Sequence, residues 1–293
     1  MSFAVPSDYA SRPVAVIGAG TLGRRIALMF ATRGGTVRIH DLAQPQRDAA
    51  VSYVEQNVAE VAGRTENGTP GTVIASGDLA EAVEDAWLVV EAIPERLELK
   101  KRLFGELDEI AAADTILASN SSSYASRLFL DHVAHPERVL NTHFYMPPAQ
   151  NAVDVMSCGQ TDRDVLDFVL KTLPEFGVFP FEARKESTGF IFNRVWAAIK
   201  RECLEVVAEG VATPQDVDGM FGVNTGSRGG PFRMMDQVGL DVVLDIEEHY
   251  AAEHPEYPEG PRVLLRDYLA RGRLGVKSGA GFYDDYPSPN SAA

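Results

Sequence analysis

The fold is decided by residues 14–30, which read VAVIGAGTLGRRIALMF. The stretch opens with a short apolar run, residues 14–18, of the kind that forms a buried strand. Three closely spaced glycines follow, and an apolar helical pattern then continues to about Thr32. The stretch therefore predicts a strand, a tight turn and a helix, which together begin a strand–helix–strand unit.

The three glycines form a G-x-G-x-x-G pattern at a strand-to-helix turn, which is the context that a dinucleotide site requires. Gly18 permits the tight turn, Gly20 lets the backbone approach a pyrophosphate, and Gly23 allows close packing of helix against strand. The pyrophosphate would lie on the free N–H groups of the helix N-terminus, with Thr21 and Leu22 among its contacts. The pattern thus predicts a bound dinucleotide.

Asp41 indicates which dinucleotide this is. It follows a second predicted strand, residues 36–40. A carboxylate at that strand end accepts hydrogen bonds from ribose hydroxyls and repels a 2′-phosphate. We therefore expect NAD rather than NADP.

The remaining pattern divides the chain in two. Further apolar runs predict strands at 88–92, 115–118, 139–142, 153–156 and 178–181. Helical patterns then dominate, at 190–209, 214–221, 240–253 and 262–270. We predict an α/β, Rossmann-type, mostly parallel sheet domain over residues 1–186 and an all-helical domain over residues 187–293, with a tail from Pro287.

Composition excludes several classes of function. The chain has 27 Lys and Arg against 42 Asp and Glu, so its net charge of −15 disfavours nucleic acid and anionic membrane as partners. No apolar run approaches the 18 residues that a membrane helix needs, and we expect a cytoplasmic protein. Cys158 and Cys203 lie far apart and form no zinc pattern, so no metal site is expected.

Six further segments carry a family resemblance. In chain order they are VVEAIPERLELKKRLFGELDEI (89–110), ILASNSSSY (116–124), THFYMPP (142–148), STGFIFNRV (187–195), GGPFRMMDQVGLD (229–241) and KSGAGFYDDY (277–286). Together they resemble the L-3-hydroxyacyl-CoA dehydrogenase family, including its relatives that act on free 3-hydroxy acids. The likeness runs from Val14 to Tyr286.

The resemblance implies a reaction and its acid–base group. Members of this family transfer a hydride between C3 of the substrate and NAD, using a histidine as acid–base, and His143 matches it just past a predicted strand. Histidine suits the role because its unperturbed pKa lies close to neutral pH. Asp154 matches the carboxylate that orients this histidine, in a position where the family usually has glutamate.

The resemblance also implies the residues around the reacting groups. Ser122 and Asn193 match residues that face the reacting oxygen, although Ser122 alone would be interpreted as a helix N-cap. Glu95 and Lys100 match positions near the nicotinamide ribose. Members of the family are commonly homodimers through the helical domain, so we expect a homodimer here.

Two departures leave the substrate open. Met146 replaces an asparagine of the family motif, and residues 42–76 lack the lysine-bearing helical pair of CoA-binding members, with only Arg47 and Arg64 as cations. The chain could thus act on a 3-hydroxyacyl-CoA. Alternatively, it could act on a free 3-hydroxy carboxylate of the gulonate or carnitine kind, held by Arg228 or Arg233. A third alternative is a non-catalytic cofactor-binding structural protein, like relatives that serve as lens crystallins.

Overall fold

A computed structural model describes residues 3–287, so residues 288–293 of the predicted tail lie outside the described residues. The chain divides after Ile191 into two compact units. The first unit holds a mostly parallel sheet with helices, and the second unit is helical. The predicted fold class, a Rossmann-type sheet followed by an all-helical region, is confirmed.

Strands and helices alternate through most of the first unit. They are β1 (Val14–Ile17), α1 (Thr21–Phe30), β2 (Thr36–His40), α2 (Gln44–Ala62), β3 (Thr72–Ser76), α3 (Leu79–Val83), β4 (Leu88–Glu91), α4 (Leu97–Ile110), β5 (Ile116–Ser119), β6 (Val139–Met146), β7 (Gln150–Ser157), α5 (Arg163–Thr172) and β8 (Phe179–Ala183). The strand order is β3-β2-β1-β4-β5-β6-β7-β8. The β6–β7 pair is antiparallel and the other neighbours are parallel.

Both faces of this sheet are buried, which explains the apolar runs of β1 and β4. One core joins the sheet to α1, α2 and α5, and the other joins it to α4 and the short helical turn Ser126–Phe129. Side chains of β6 alternate between the faces, and Leu140 and Phe144 lie in the α1–α2 core. His143 and Tyr145 therefore point to the opposite face.

The elements differ from the sequence predictions in several places, among them two boundaries and one strand. β6 continues to Met146 because it pairs with β7 as a hairpin, so His143 lies inside the strand rather than just past it. The edge strand β3 was not predicted, because its alternating exposure breaks the apolar run. Helix α6 begins at Phe192 rather than Phe190, since Gly189 and Phe190 have φ values of 73° and 53°, which a right-handed helix excludes.

The second unit contains α6 (Phe192–Ala208), α7 (Pro214–Thr225), α8 (Pro231–Val238), α9 (Leu240–Glu253) and α10 (Gly260–Ala270). Its core includes Leu204, Phe232, Met235 and Leu265. The short helix α8 was not predicted. Across residues 3–287, no helix combines the length and apolar character needed to cross a membrane.

Candidate active site

The glycine turn is built as its spacing predicts. Gly18 has φ of 110°, and a Cβ there would lie 2.5 Å from the Ala92 carbonyl oxygen. A Cβ on Gly23 would lie 1.8 Å from the Gly18 carbonyl oxygen, so only glycine lets α1 approach the turn this closely. Beside Gly20, by contrast, a Cβ would meet no heavy atom of residues 3–287 within 4 Å. That open space is where a ligand can approach the backbone.

The N-terminus of α1 faces this opening. Within the described chain no side chain caps it, and its first turn carries no acidic residue. The exposed Thr21 and the half-buried Leu22 open the helix there. Their N–H groups precede the first intrahelical bond, from Arg24 N to Gly20 O, and so remain available to an anion.

Asp41 is fixed next to this turn. Its Oδ2 accepts a hydrogen bond from Ala19 N at 3.0 Å, and its Oδ1 accepts one from Ala43 N at 2.9 Å. Each oxygen keeps a second lone pair that a ribose hydroxyl can use. The uncapped helix, the space beside Gly20 and the anchored carboxylate together fit a bound NAD.

Asp41→Ala is expected to raise the Kd of NADH by about tenfold, the equivalent of one charged hydrogen bond. It should also improve binding of NADPH relative to NADH. The reason is that the substitution removes the carboxylate that repels a 2′-phosphate. Fluorescence titration with both cofactors measures this preference. The control is Asp48→Ala, which removes an exposed acid of the nearby helix α2. An unchanged NADH-to-NADPH preference in Asp41→Ala would contradict the assignment.

A buried ion cluster lies behind the neighbouring strand ends. Lys100 is only 1% exposed, and its Nζ lies 2.7 Å from Glu91 Oε1 and 3.0 Å from Glu95 Oε2. The other carboxylate oxygen of Glu91 accepts the Ser119 hydroxyl at 2.6 Å. Lys100 therefore contacts these two carboxylates rather than the surface, and holds Glu95 in place.

Glu95 is the exposed member of this cluster. The Ser121 hydroxyl and, at 3.0 Å, Ser123 N both donate to its Oε1. Burial on its own raises the pKa of Glu95, but the Ser121 hydrogen bond and the charge of Lys100 outweigh it and leave the pKa below the ordinary value. The carboxylate is thus ionised and oriented at neutral pH.

The β6–β7 hairpin brings together the proposed acid–base pair. Strand register sets His143 directly opposite Asp154, and both side chains are buried. His143 Nδ1 lies 3.2 Å from Asp154 Oδ2, so the aspartate reaches the ring although it is one methylene shorter than the usual glutamate. Asp154 also accepts the Tyr145 hydroxyl at 2.6 Å on Oδ2 and Ile191 N at 3.3 Å on Oδ1.

Two neighbours of His143 were not predicted. Tyr145 shares the Asp154 oxygen, and its position two residues after His143 on the same strand face was the available signal. Phe190 stacks on the imidazole with ring centroids 5.1 Å apart and an interplanar angle of 8°. It does so from a positive φ, an unusual conformation for a bulky residue. No local pattern reveals that contact, because the chain returns to β6 only after β8.

The other predicted residues lie in different places. The exposed Ser122 follows β5 and His143 lies near the end of the adjacent strand β6, so both are at the carboxyl edge of the sheet. The helical turn after Ser122 is preceded by Ala125 as its N-cap residue, so the N-cap interpretation of Ser122 is wrong. Asn193 is the second residue of α6 in the second unit, and its role stays a prediction. Met146 is 41% exposed at the tip of the hairpin.

Comparison with known families agrees with this geometry. Residues 13–186 match the model of the 3-hydroxyacyl-CoA dehydrogenase NAD binding domain, and residues 189–285 match that of the 3-hydroxyacyl-CoA dehydrogenase C-terminal domain. A 3-hydroxybutyryl-CoA dehydrogenase of Clostridioides difficile is 30% identical over 277 residues, covering 92% of this chain and 98% of that protein.

Other relatives are similar over different extents. The 3-hydroxyacyl-CoA dehydrogenase-like protein LAM1 of Cochliobolus heterostrophus is 45% identical over 159 residues, which span 53% of this chain but only 33% of that protein. A solved diketoreductase, described as a dual catalyst of dicarbonyl compounds, superposes with a TM-score of 0.77 at 30% identity and covers 93% of this chain and 98% of its own. The chain therefore belongs to the 3-hydroxyacyl-CoA dehydrogenase family, and is an NAD-dependent oxidoreductase that acts on CH–OH groups.

Proposed function

We propose that the protein interconverts L-3-hydroxyacyl-CoA and 3-ketoacyl-CoA, with His143 as the acid–base group. The observation that carries the proposal is the buried pair of His143 and Asp154 at the carboxyl edge of the sheet that also carries the NAD turn. Full-length similarity to a 3-hydroxybutyryl-CoA dehydrogenase supports the substrate class.

The pair gives the imidazole a defined proton arrangement. Asp154 Oδ2 accepts the Nδ1 proton, so Nε2 is left to take the proton of the C3 hydroxyl. The carboxylate then stabilises the imidazolium that forms. NAD, when bound, supplies the hydride acceptor. The resemblance implies that Ser122 and Asn193 hydrogen-bond the reacting oxygen. Phe190, which stacks on the imidazole, keeps water off one face of that ring.

The experiment that tests this proposal compares carbonyl substrates with NADH. Purified protein is assayed with acetoacetyl-CoA, with free acetoacetate and with other free 3-keto acids, and NADH oxidation is followed by absorbance. We expect kcat/KM to be highest with acetoacetyl-CoA. Faster reduction of a free acid would overturn the CoA substrate, and no turnover of any 3-keto compound by NADH-binding protein would overturn the reaction itself.

A free 3-hydroxy carboxylate is the second candidate substrate, and two observations favour keeping it. The similar diketoreductase is described as acting on dicarbonyl compounds. In addition, Arg47 donates to backbone carbonyls and Arg64 pairs with Glu60, so both predicted cations already have partners in the chain. However, two arginines were suggested as partners of the substrate carboxylate, and Arg233 already pairs with Asp285. The exposed Arg228 is then the remaining candidate.

Tyr145→Phe is expected to lower kcat about tenfold, with the Kd of NADH unchanged. The substitution removes one of the donors that hold Asp154, at a cost of about 1.5 kcal/mol for a hydrogen bond to a charged group. Steady-state kinetics with the best substrate measure it. Tyr9→Phe is the matched control, because it removes a similar bond, to Glu175 Oε1 at 2.7 Å, on the amino-terminal side of β1. Equal losses in both variants would mean that Tyr145 acts only through stability.

We also propose that the protein is a homodimer through the helical unit. Support comes from apolar side chains exposed on that unit, with Val195 52%, Met220 66%, Val223 86% and Val263 55% accessible. Light scattering should give a mass near twice the 31.8 kDa of the chain. A mass of one chain at micromolar concentration would contradict the proposal.

A further inference from the structure

Two consecutive arginines of α1, Arg24 and Arg25, are half-buried without a carboxylate partner among residues 3–287. The Nε atoms of both are buried and have no hydrogen-bond acceptor in the described chain. In a protein of net charge −15, two adjacent cations without a local acid indicate a site for an external anion.

Both side chains are nevertheless held in place. The guanidinium carbons of Arg24 and Arg25 lie 4.8 and 5.6 Å from the centre of the Tyr53 ring in α2, within the range of cation–π contact. Arg25 Nη1 donates to the Pro147 carbonyl oxygen at 2.9 Å, at the tip of the β6–β7 hairpin. One carbonyl uses one of the eight Nη–H groups of the pair, the two Nε–H groups are buried, and the other Nη–H groups remain for a ligand.

Without a bound anion, the two positive charges of this pair are destabilising at their position in α1. The two cations lie in the first turns of α1, near the positive end of the helix dipole, where positive charge is destabilising. Their mutual repulsion adds to this cost. A phosphate or carboxylate bound between them would remove both, and guanidinium groups bind such oxyanions with paired hydrogen bonds.

The geometry decides which part of the substrate this anion belongs to. The arginines lie on α1, over the sheet face that Phe144 enters, whereas His143 points to the other face. The carboxylate of a free 3-keto acid is only two bonds from the carbon that reacts beside His143. The phosphates of a CoA thioester lie at the far end of the pantetheine arm, and therefore fit a site on the opposite face of the sheet from His143 better than that carboxylate does.

The pyrophosphate of NAD is the competing anion, and the contacts of Arg25 argue against it. A bound NAD would meet the first N–H groups of α1 at the open space beside Gly20. Arg25 instead binds the carbonyl oxygen of Pro147, four residues beyond His143 on the hairpin. The pair thus contacts α2 through Tyr53 and the hairpin through Pro147.

We propose that Arg24 and Arg25, backed by Tyr53, bind a phosphate of the CoA portion of the substrate. This inference rests on the proposed CoA-thioester function. It adds two cations to Arg47 and Arg64, the only two that residues 42–76 supply, both of which already have partners in the chain. The site belongs to this chain's own α1 rather than to a lysine-bearing helical pair.

The test uses two substrates with the same reacting group. Acetoacetyl-CoA carries the phosphates and acetoacetyl-pantetheine carries none. In the double variant Arg24→Gln/Arg25→Gln we expect KM for acetoacetyl-CoA to rise about 10- to 100-fold, as two charge-assisted contacts would give. We expect KM for acetoacetyl-pantetheine, kcat and the Kd of NADH to stay within about twofold. Arg102→Gln/Arg163→Gln, which removes two exposed charges of the same unit, is the control for net charge.

Three results would overturn the inference. An equal rise in KM for both thioesters would assign the arginines to general structure, and a raised Kd of NADH with unchanged KM for acetoacetyl-CoA would assign them to the cofactor. The third result comes from calorimetry with CoA itself: either wild type and double variant bind CoA with the same Kd, or wild type does not bind CoA. Because calorimetry needs no turnover, it separates this inference from the proposed reaction: wild type that binds CoA but reduces only free acids would refute the function alone.

Discussion

His143→Gln is expected to lower kcat by about 10²- to 10⁴-fold while leaving the Kd of NADH nearly unchanged. Glutamine is similar in reach and can still donate to Asp154, but it cannot accept and return a proton. The imidazole is buried between Tyr145 and Phe190, at centroid distances of 4.6 and 5.1 Å, so bulk water cannot easily replace it as the base. Single-turnover absorbance of NADH, with the best 3-keto substrate, isolates the chemical step.

Asp154→Asn sharpens this test. The amide has the same shape, but it can present N–H rather than oxygen to Nδ1 and so favours the wrong tautomer of His143. We expect a loss that approaches that of His143→Gln, and a double variant that is little worse than the poorer single one, because the pair acts as a unit. His249→Gln, which changes an exposed histidine near Glu253, is the control. Parallel loss of NADH binding in His143→Gln would mean that His143 is structural.

The central strands of the first unit and the edge strand β8 could be predicted from the sequence, because each contains an apolar run, whereas the other edge strand, β3, could not. Strands β1 and β4 are buried on both faces, so β1 reads as an uninterrupted apolar run and β4 as three apolar residues followed by Glu91. The edge strand β3 is exposed at alternate residues and begins and ends with small hydroxyl side chains. A short pattern of that kind does not differ from a loop until a neighbouring strand pairs with it.

The candidate site shows the same division between local and long-range information. The requirement for glycine at 23 is local, because its Cβ would clash with the Gly18 carbonyl oxygen within the turn, whereas a Cβ at 18 would clash with Ala92, which follows β4. Asp154 was predicted as the partner of His143 from a family resemblance, and its distance from His143 depends on the register of β6 and β7. Phe190 contacts His143 only because the chain returns after β8, and no window of sequence contains that contact.

The arginines of α1 illustrate a further limit. Their sequence position places them on a helix next to the glycine turn, and the charge count shows that acids outnumber bases in the chain. Whether a given arginine finds one of those acids depends on the packing of α2 and the hairpin around it. Tyr53 and the Pro147 carbonyl occupy that surrounding space, and this arrangement of neutral groups leaves the charges of Arg24 and Arg25 uncompensated.

Gly23→Ala and Gly20→Ala are expected to fail in different ways, which tests the separate roles of the two glycines. Alanine at 23 places Cβ 1.8 Å from the Gly18 carbonyl oxygen, a backbone atom that cannot rotate away. Gly18 is itself fixed, because its N–H donates to His40 O at 2.7 Å. We therefore expect the free energy of unfolding of the first unit to fall by about 3 kcal/mol or more.

Alanine at 20 meets open space, and the φ and ψ of Gly20, −66° and −172°, suit any residue. The free energy of unfolding of Gly20→Ala should therefore stay within about 1 kcal/mol of wild type. The Kd of NADH should rise about 10- to 100-fold, because the methyl group occupies the space through which the pyrophosphate approaches the backbone. Urea unfolding followed by Trp87 fluorescence, in a Trp196→Phe background, reports on the first unit, since Trp87 is buried in its core. Gly219→Ala, at an open helical position, controls for the substitution. If Gly23→Ala unfolded at the same urea concentration as Gly20→Ala, close packing at the turn would not be the reason for glycine at 23.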